Sequence, residues 1–311
     1  MYWKIRGEAG VAYHFIQQTR VFIQRTLVFF SMRFRIHIFA LEKQDKQHLN
    51  TSKGMKKTFI SIILALVVIL AIGGIWAYYT SKTSNPWNAR TIGEIPAPFG
   101  YHRVEAPAGS YAEYLRNLPL KEKGAKIMLY TGGQANFQFL GTGVIDQKLL
   151  SNYEQCADVT MRLRAEYLWK KGHYSEICFR DVNRNKVQYT GGSSRKAFEK
   201  YMRSIYGVCS TYSLYHETKP RAIKDVQPGD VFVYPARPGR KYGHAAIVAD
   251  VARSKSGKVA VMCVEGNTPA RDQHIVRNLN PICNPWFFFD EDDTVFWIGP
   301  FHFNEDELRH Y

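Results

Sequence analysis

The sequence is short of cysteine. It has five cysteines among 311 residues, and none of them is paired as C-x₂-C. Five are too few for a disulfide scaffold in a chain of this length. Without the paired spacing there is no zinc-ribbon site to expect, and an odd count leaves at least one thiol outside an intrachain bridge. Gly132 and Gly133 are not followed by the Lys-Ser/Thr of a phosphate loop, so nucleotide binding has no support. No helix-turn-helix and no aromatic-basic strand motif argues for nucleic acid. Internal repeats are absent, and low complexity is confined to a tether at 81–98. No cofactor and no metal is expected from these patterns.

Acidic residues are also scarce. Lys and Arg number 42 against 27 Asp and Glu, a net charge of +15. The surplus favours anionic partners without choosing among nucleic acid, an acidic membrane surface and an anionic polymer. It is unevenly spread: residues 1–54 carry +6 and the remainder +9. An apolar fraction of 45% and 14% aromatics are enough to fill a core, which excludes wholesale disorder.

The strongest positive signal is residues 59–79, FISIILALVVILAIGGIWAYY, with no charge. As a helix this run reaches about 31 Å, the thickness of a bilayer core. Trp76, Tyr78 and Tyr79 gather at one end as an interfacial belt would. Lys56 and Lys57 precede the run, so the positive-inside rule puts everything after residue 80 outside the cytoplasm. That side also argues against nucleic acid as the partner. A cleaved signal peptide is the rival reading. The run is longer than the usual 7–15 residue apolar region of a signal, and no small-x-small cleavage site follows it. The expected organisation is therefore a signal anchor at 55–80, a linker at 81–98 and one folded domain at 99–311. Residues 1–54 read as an upstream mis-start before Met55 or as a basic, membrane-proximal cytoplasmic segment.

Within the domain, Ser110 stands three residues before Glu113, a capping-box spacing for a short helix that stops before Pro119. Residues 155–171 read as a longer helix, with Val159, Leu163 and Tyr167 on one stripe and Arg162, Arg164, Lys170 and Lys171 facing outward. Residues 194–206 form a second amphipathic helix. Strand patterns fall at 126–129, 136–140, 178–180, 230–234, 244–251, 259–265 and 295–303. Helices first and an antiparallel sheet later give an α+β class.

Three segments combine chemically. Cys156 lies in the first turn of the longer helix, where unpaired backbone N–H groups and the positive helix end favour a thiolate. His244 begins a strand and can act as general base and then acid. Glu265, Asn267 and His274 follow on the next strand and loop. If Ser256 and Gly257 are the central residues of a hairpin turn, Val248 opposes Glu265 and Ala246 opposes Asn267. His244, Glu265 and Asn267 then share one face, and a slip of one residue would break the arrangement. Glu265 or Asn267 could accept from the imidazole and orient it. Gln155 and the Cys156 backbone N–H are candidate oxyanion donors. The remaining cysteines read as structural; a Cys178 to Cys209 bridge is compatible with the sequence and not fixed by spacing. Asp272 with His274 as metal ligands, Trp286 as a sugar platform, and Tyr130, Gly132, Gly133 and Tyr242 as a cleft wall are weaker readings.

A cysteine opening a helix, then Pro228-Gly229-Asp230, then Gly243-His244 before an apolar strand resembles the papain-like cell-wall cysteine hydrolases of the NlpC-like and CHAP-like kinds. The resemblance implies a papain-like core, with a nucleophile helix packed on an antiparallel sheet. It implies Cys156 as nucleophile, His244 as base and a polar residue after it as orienter. Glu265 or Asn267 fits the CHAP-like pattern and His274 the NlpC-like one. The implied substrate is an amide or peptide bond in peptidoglycan stem peptide or a related envelope conjugate. The chain departs from the NlpC-like context Asp-Cys-Ser-Gly, having Gln155-Cys156-Ala157-Asp158. That departure keeps open a catalytically inactive domain binding envelope peptide or glycan. The strings CADVTMRLRAEYLW, GHAAIVADVA and TPARDQHIVRN also resemble an uncharacterised domain family typical of Bacteroidetes envelope proteins, over roughly 95–305. Together these imply a single-pass protein of the bacterial inner membrane with its C-terminal domain in the periplasm or extracytoplasmic space. Oligomeric state is not legible.

Overall fold

The computed structural model describes residues 52–80 and 88–311, and within 52–80 the side chains of 59–74. The reading of residues 1–51 and 81–87 lies outside the described residues. Two units divide the chain, Met1–Tyr79 and Thr80–Tyr311.

In the first unit, Ser52–Thr80 is one helix, α1. Its described large apolar side chains, from Phe59 through Leu70 and Ile72, are exposed. Among the described residues no helix is long and apolar enough to cross a membrane.

The second unit is α+β. Strand β1 (Tyr101–Arg103) leads to helix α2 (Tyr111–Arg116), strand β2 (Gly141–Val144) and helix α3 (Cys156–Lys170). The ribbon β3 (Cys178–Arg180) and β4 (Lys186–Gln188) precedes helices α4 (Arg195–Val208) and α5 (Thr211–Glu217). Then follow β5 (Lys219–Pro220), β6 (Val231–Tyr234), β7 (His244–Ser254), β8 (Val259–Glu265), β9 (His274–Val276), β10 (Phe287–Phe289), β11 (Val295–Ile298), β12 (Phe301–Asn304) and β13 (Leu308–His310). The main sheet runs β2-β9-β8-β7-β6-β13-β5, with β1 added to β7 and β10 to β8. Its described pairings are all antiparallel.

Local chemistry places the helices. Ser110 Oγ accepts from the Glu113 N–H, and Glu113 Oε2 accepts from the Gly109 N–H, closing the expected cap of α2. Ser194 caps α4, which buries Phe198, Met202 and Ile205. Helix α3 is buried on more sides than its stripe suggested. Arg162 does not face outward: its side chain is 2% exposed, between Glu154 (2.6 Å) and Glu166 (3.4 Å). Glu166 in turn takes both Nη atoms of Arg195. Full burial of a guanidinium is tolerable because carboxylates meet it.

The central hairpin, β7 with β8, fixes the site. Arg253 faces Val259, one residue off the expected pairing. A bulge between Val248 and Asp250 adds a second one-residue shift, and Ile247 then faces Val264. Two single slips restore parity, so Glu265 returns to the face of His244. The bulge also turns Asp250 inward. Its Oδ2 meets Arg103 Nε at 2.5 Å and its Oδ1 meets Arg116 Nε at 2.8 Å, tying β1 and α2 to β7.

Several expectations are corrected. Ile92 and Ile95 are core residues, and Thr91 bridges to Pro119, so the folded unit begins inside the expected linker. The strand expected at 136–140 is displaced to β2, because Phe137 adopts a left-handed backbone (φ 58°) and Gln138–Leu140 forms a 3-10 turn. Trp286 is no sugar platform: it is 2% exposed, and its Nε1 donates to the Pro96 carbonyl. Cys178 and Cys209 are both free thiols.

Candidate functional site

Cys156 is the first residue of α3. The Gln155 backbone N–H donates to Asp158 Oδ2 at 2.9 Å, which locks the helix start. Burial pushes the Asp158 carboxyl up to about 8, outweighing the Gln155 N–H that stabilises its charge. Asp158 is thus largely an uncharged cap at neutral pH.

His244 opens β7 opposite Tyr234 of β6. Its Nε2 lies 2.8 Å from Glu265 Oε2. The neighbouring Cys156 thiol acts on the ring as well and favours its protonated form. With Nε2 committed to Glu265, Nδ1 is the nitrogen left for the sulfur. The three side chains are 8%, 3% and 1% exposed for Cys156, His244 and Glu265. The Phe301 ring stacks on the imidazole, with centroids 3.6 Å apart and planes 20° from parallel. The hairpin of β11 and β12 therefore supplies the lid over the base, a contribution the sequence did not announce. Repeated aromatics at 287–289, 296, 301 and 303 were its only trace.

Burial alone would push the His244 imidazolium below its ordinary range. The Glu265 charge and hydrogen bond, together with the neighbouring Cys156 thiol, outweigh it and hold the group near 9. Glu265 is correspondingly held near 2: burial raises it, but the His244 charge and the hydrogen bonds from His244 and His274 bring it down. The two directions agree on a charged pair at neutral pH.

The other expected residues separate into distinct roles. Glu265, not Asn267, faces His244; Asn267 Oδ1 is taken by the Thr268 N–H at 2.8 Å. His274 Nε2 reaches Glu265 Oε1 at 3.4 Å, on the side away from His244 Nε2. Gln155 Oε1 accepts from Thr268 Oγ1 at 2.8 Å, which leaves the amide NH₂ as its donor end. Gly266 permits this junction, since a Cβ there would stand 2.7 Å from Val159 Cγ2 and 3.2 Å from the Gln155 carbonyl. Gly243 does the same beside His244, where a Cβ would collide with Thr211 Oγ1 and the Tyr234 carbonyl. Asp272 is committed to Lys121 Nζ and the Met128 N–H, and among the described residues no cluster could hold a metal ion. A cleft of about 540 Å³ includes Tyr130 but not Gly132, Gly133 or Tyr242. Neither this cleft nor a second of about 750 Å³ includes Cys156 or His244.

Residues 93–191 and 190–310 match the family described as domain of unknown function 4846. The chain belongs to that family. The match covers most of the folded unit, including Cys156, His244, Glu265 and His274. No curated protein and no solved structure matches the chain.

Proposed function

We propose that the domain is a papain-like cysteine hydrolase that cleaves an amide or peptide bond in peptidoglycan stem peptide or a related envelope substrate. The observation that supports this reading is that Cys156, His244 and Glu265 are buried together, with His244 Nε2 2.8 Å from Glu265 Oε2 and the Cys156 thiol near enough to raise the imidazole's pKa. Cys156 sulfur, as thiolate, attacks the substrate carbonyl carbon. A C–S bond forms and the carbonyl electron pair moves to oxygen. The Cys156 backbone N–H, which as a first-turn donor has no carbonyl within its helix, and the Gln155 amide supply hydrogen bonds to that oxygen. The tetrahedral species collapses and the C–N bond breaks. The departing amine takes its proton from the His244 imidazolium. Neutral His244 then removes a proton from water, whose oxygen attacks the thioester, and the thiolate leaves as the acid product forms. Glu265 holds the imidazole in place and offsets its charge throughout.

Residues 59–79 would anchor this domain to the bacterial inner membrane and leave it on the extracytoplasmic side. The positive charge of the outer part suits an anionic wall polymer.

A second reading has its own support: Cys156 is nearly covered and lies outside both clefts, as in a domain that binds envelope peptide or glycan without cutting. Digestion separates the two. The full chain, in detergent, is incubated with purified peptidoglycan, and soluble fragments are resolved by liquid chromatography and mass. The hydrolase reading expects new fragments with one added water per cut, absent with Cys156→Ala. Binding to the polymer by both forms, without new fragments from either, would establish the second reading.

A further inference from the structure

His274 opens β9 directly beside Glu265, its register partner. Its Nδ1 lies 2.9 Å from the Asp272 carbonyl oxygen. A carbonyl can only accept, so Nδ1 carries a proton. Its Nε2 lies 3.4 Å from Glu265 Oε1. A neutral ring protonated at Nδ1 would turn a lone pair on an ionised carboxylate. A doubly protonated ring donates at both contacts.

Once Cys156 is written as the thiolate that the proposed function requires, charge counting leads to the same state. Cys156 as thiolate, His244 as imidazolium and Glu265 as carboxylate sum to −1. All three sit in a site where water has little access, and an uncompensated charge is costly there. A second imidazolium brings the sum to zero. Tyr234 is held as a neutral phenol by burial, and Cys263 as a neutral thiol by burial and then by Glu265. Asp272 is matched by Lys121 at 2.8 Å. On β2, Gly141 leaves room for the ring: a Cβ there would lie 3.0 Å from His274 Cδ2.

We propose that His274 is a positioning residue of the site, an imidazolium that fixes Glu265 against His244 and supplies the charge that makes a Cys156 thiolate compatible with burial. It acts through Glu265 and does not orient His244 itself. This inference rests on reading Cys156 as the nucleophile.

The test uses the full chain in two measurements. Labelling of Cys156 by iodoacetamide is followed against pH in wild type, His244→Ala and His274→Gln. Glutamine keeps a donor toward Glu265 but carries no charge. Proton-nitrogen correlation spectra of ¹⁵N-histidine protein report the protonation of His274 without any reaction. Wild type is expected to show His274 doubly protonated at pH 7. His274→Gln, with a melting curve like wild type, is expected to label about tenfold more slowly at pH 7, its profile moved up by about one pH unit. A His274 that is neutral at pH 7 beside a charged His244 overturns the inference, and so does a labelling profile unchanged in His274→Gln. If His244→Ala also leaves labelling unchanged, the hydrolase reading falls with it. If His244→Ala slows labelling and His274→Gln does not, only the role of His274 is lost.

Discussion

Replacing His244 with alanine is expected to slow hydrolysis by about 10³-fold, within the range of a lost general acid and base, and to slow alkylation of Cys156 at neutral pH along with it. The imidazole neighbours the thiol and is the group that the proposed mechanism uses to take and return a proton. The pH dependence has a definite sign. The folded-state value of His244 is raised from 6.5 to about 9. The pairing therefore contributes fully below 6.5 and is lost as pH rises through about 9. Glu265, lowered from 4.5 to about 2, contributes above 4.5 and loses its contribution as pH falls toward 2. The gap in labelling rate between wild type and His244→Ala should thus be widest between these limits and narrow above pH 9. Iodoacetamide labelling across pH 5–10, read by intact mass, checks it. Equal rates for the two proteins at pH 7 would remove His244 from the chemistry.

The second large effect is on stability. Asp250→Ala is expected to destabilise the folded unit by about 3 kcal/mol, the lower end for breaking a buried ion pair. Asp250 is fully buried, while its partners Arg103 and Arg116 keep 21% and 15% of their side-chain exposure. Solvent can therefore recover part of what the arginines lose. The same carboxylate sits in the bulge whose one-residue shift brings Glu265 to His244, so loss of alkylation should accompany partial loosening. Lys258→Ala is the control. It breaks an exposed, solvent-screened pair with Asp290 and should leave the urea midpoint essentially unchanged. Urea unfolding followed by tryptophan fluorescence measures both. A change below about 1 kcal/mol for Asp250→Ala would mean that the bulge is held by other contacts.

The site was legible where chemistry and chain order coincide. A cysteine at a helix start and a histidine at a strand start are visible in one dimension, and the antiparallel hairpin between 244 and 265 follows from alternation and a turn. The register was not legible. Its expected pairing was off by one at the turn and by another at the Asp250 bulge, and the two errors cancelled. Neither the Arg103 and Arg116 partners that hold the bulge nor its position has a local signal. The choice between Glu265 and Asn267 was equally hidden, because it depends on where β8 ends. Asn267 falls past that end and spends its side chain on the next backbone N–H.

Other features escaped because tertiary contacts made them. Short elements such as α5, β9 and β13 carry too few residues to show a period. Arg162 looked like a surface residue until Glu154 and Glu166 met it in the interior. Trp286 and Phe301 were equally apolar in sequence, yet one fills the core and the other covers the His244 imidazole. The family match adds the extent of the domain, and the chemistry comes from the side-chain geometry.

The most direct measurement is a search for the covalent intermediate. The full chain in detergent is mixed with peptidoglycan fragments, quenched in acid within seconds and analysed by intact mass and peptide mapping. The account predicts an acyl adduct on Cys156 that a pulse of neutral hydroxylamine removes, with no adduct on Cys178 or Cys283. Fragments that are cut with no adduct on Cys156, or cut equally by Cys156→Ala, would contradict it.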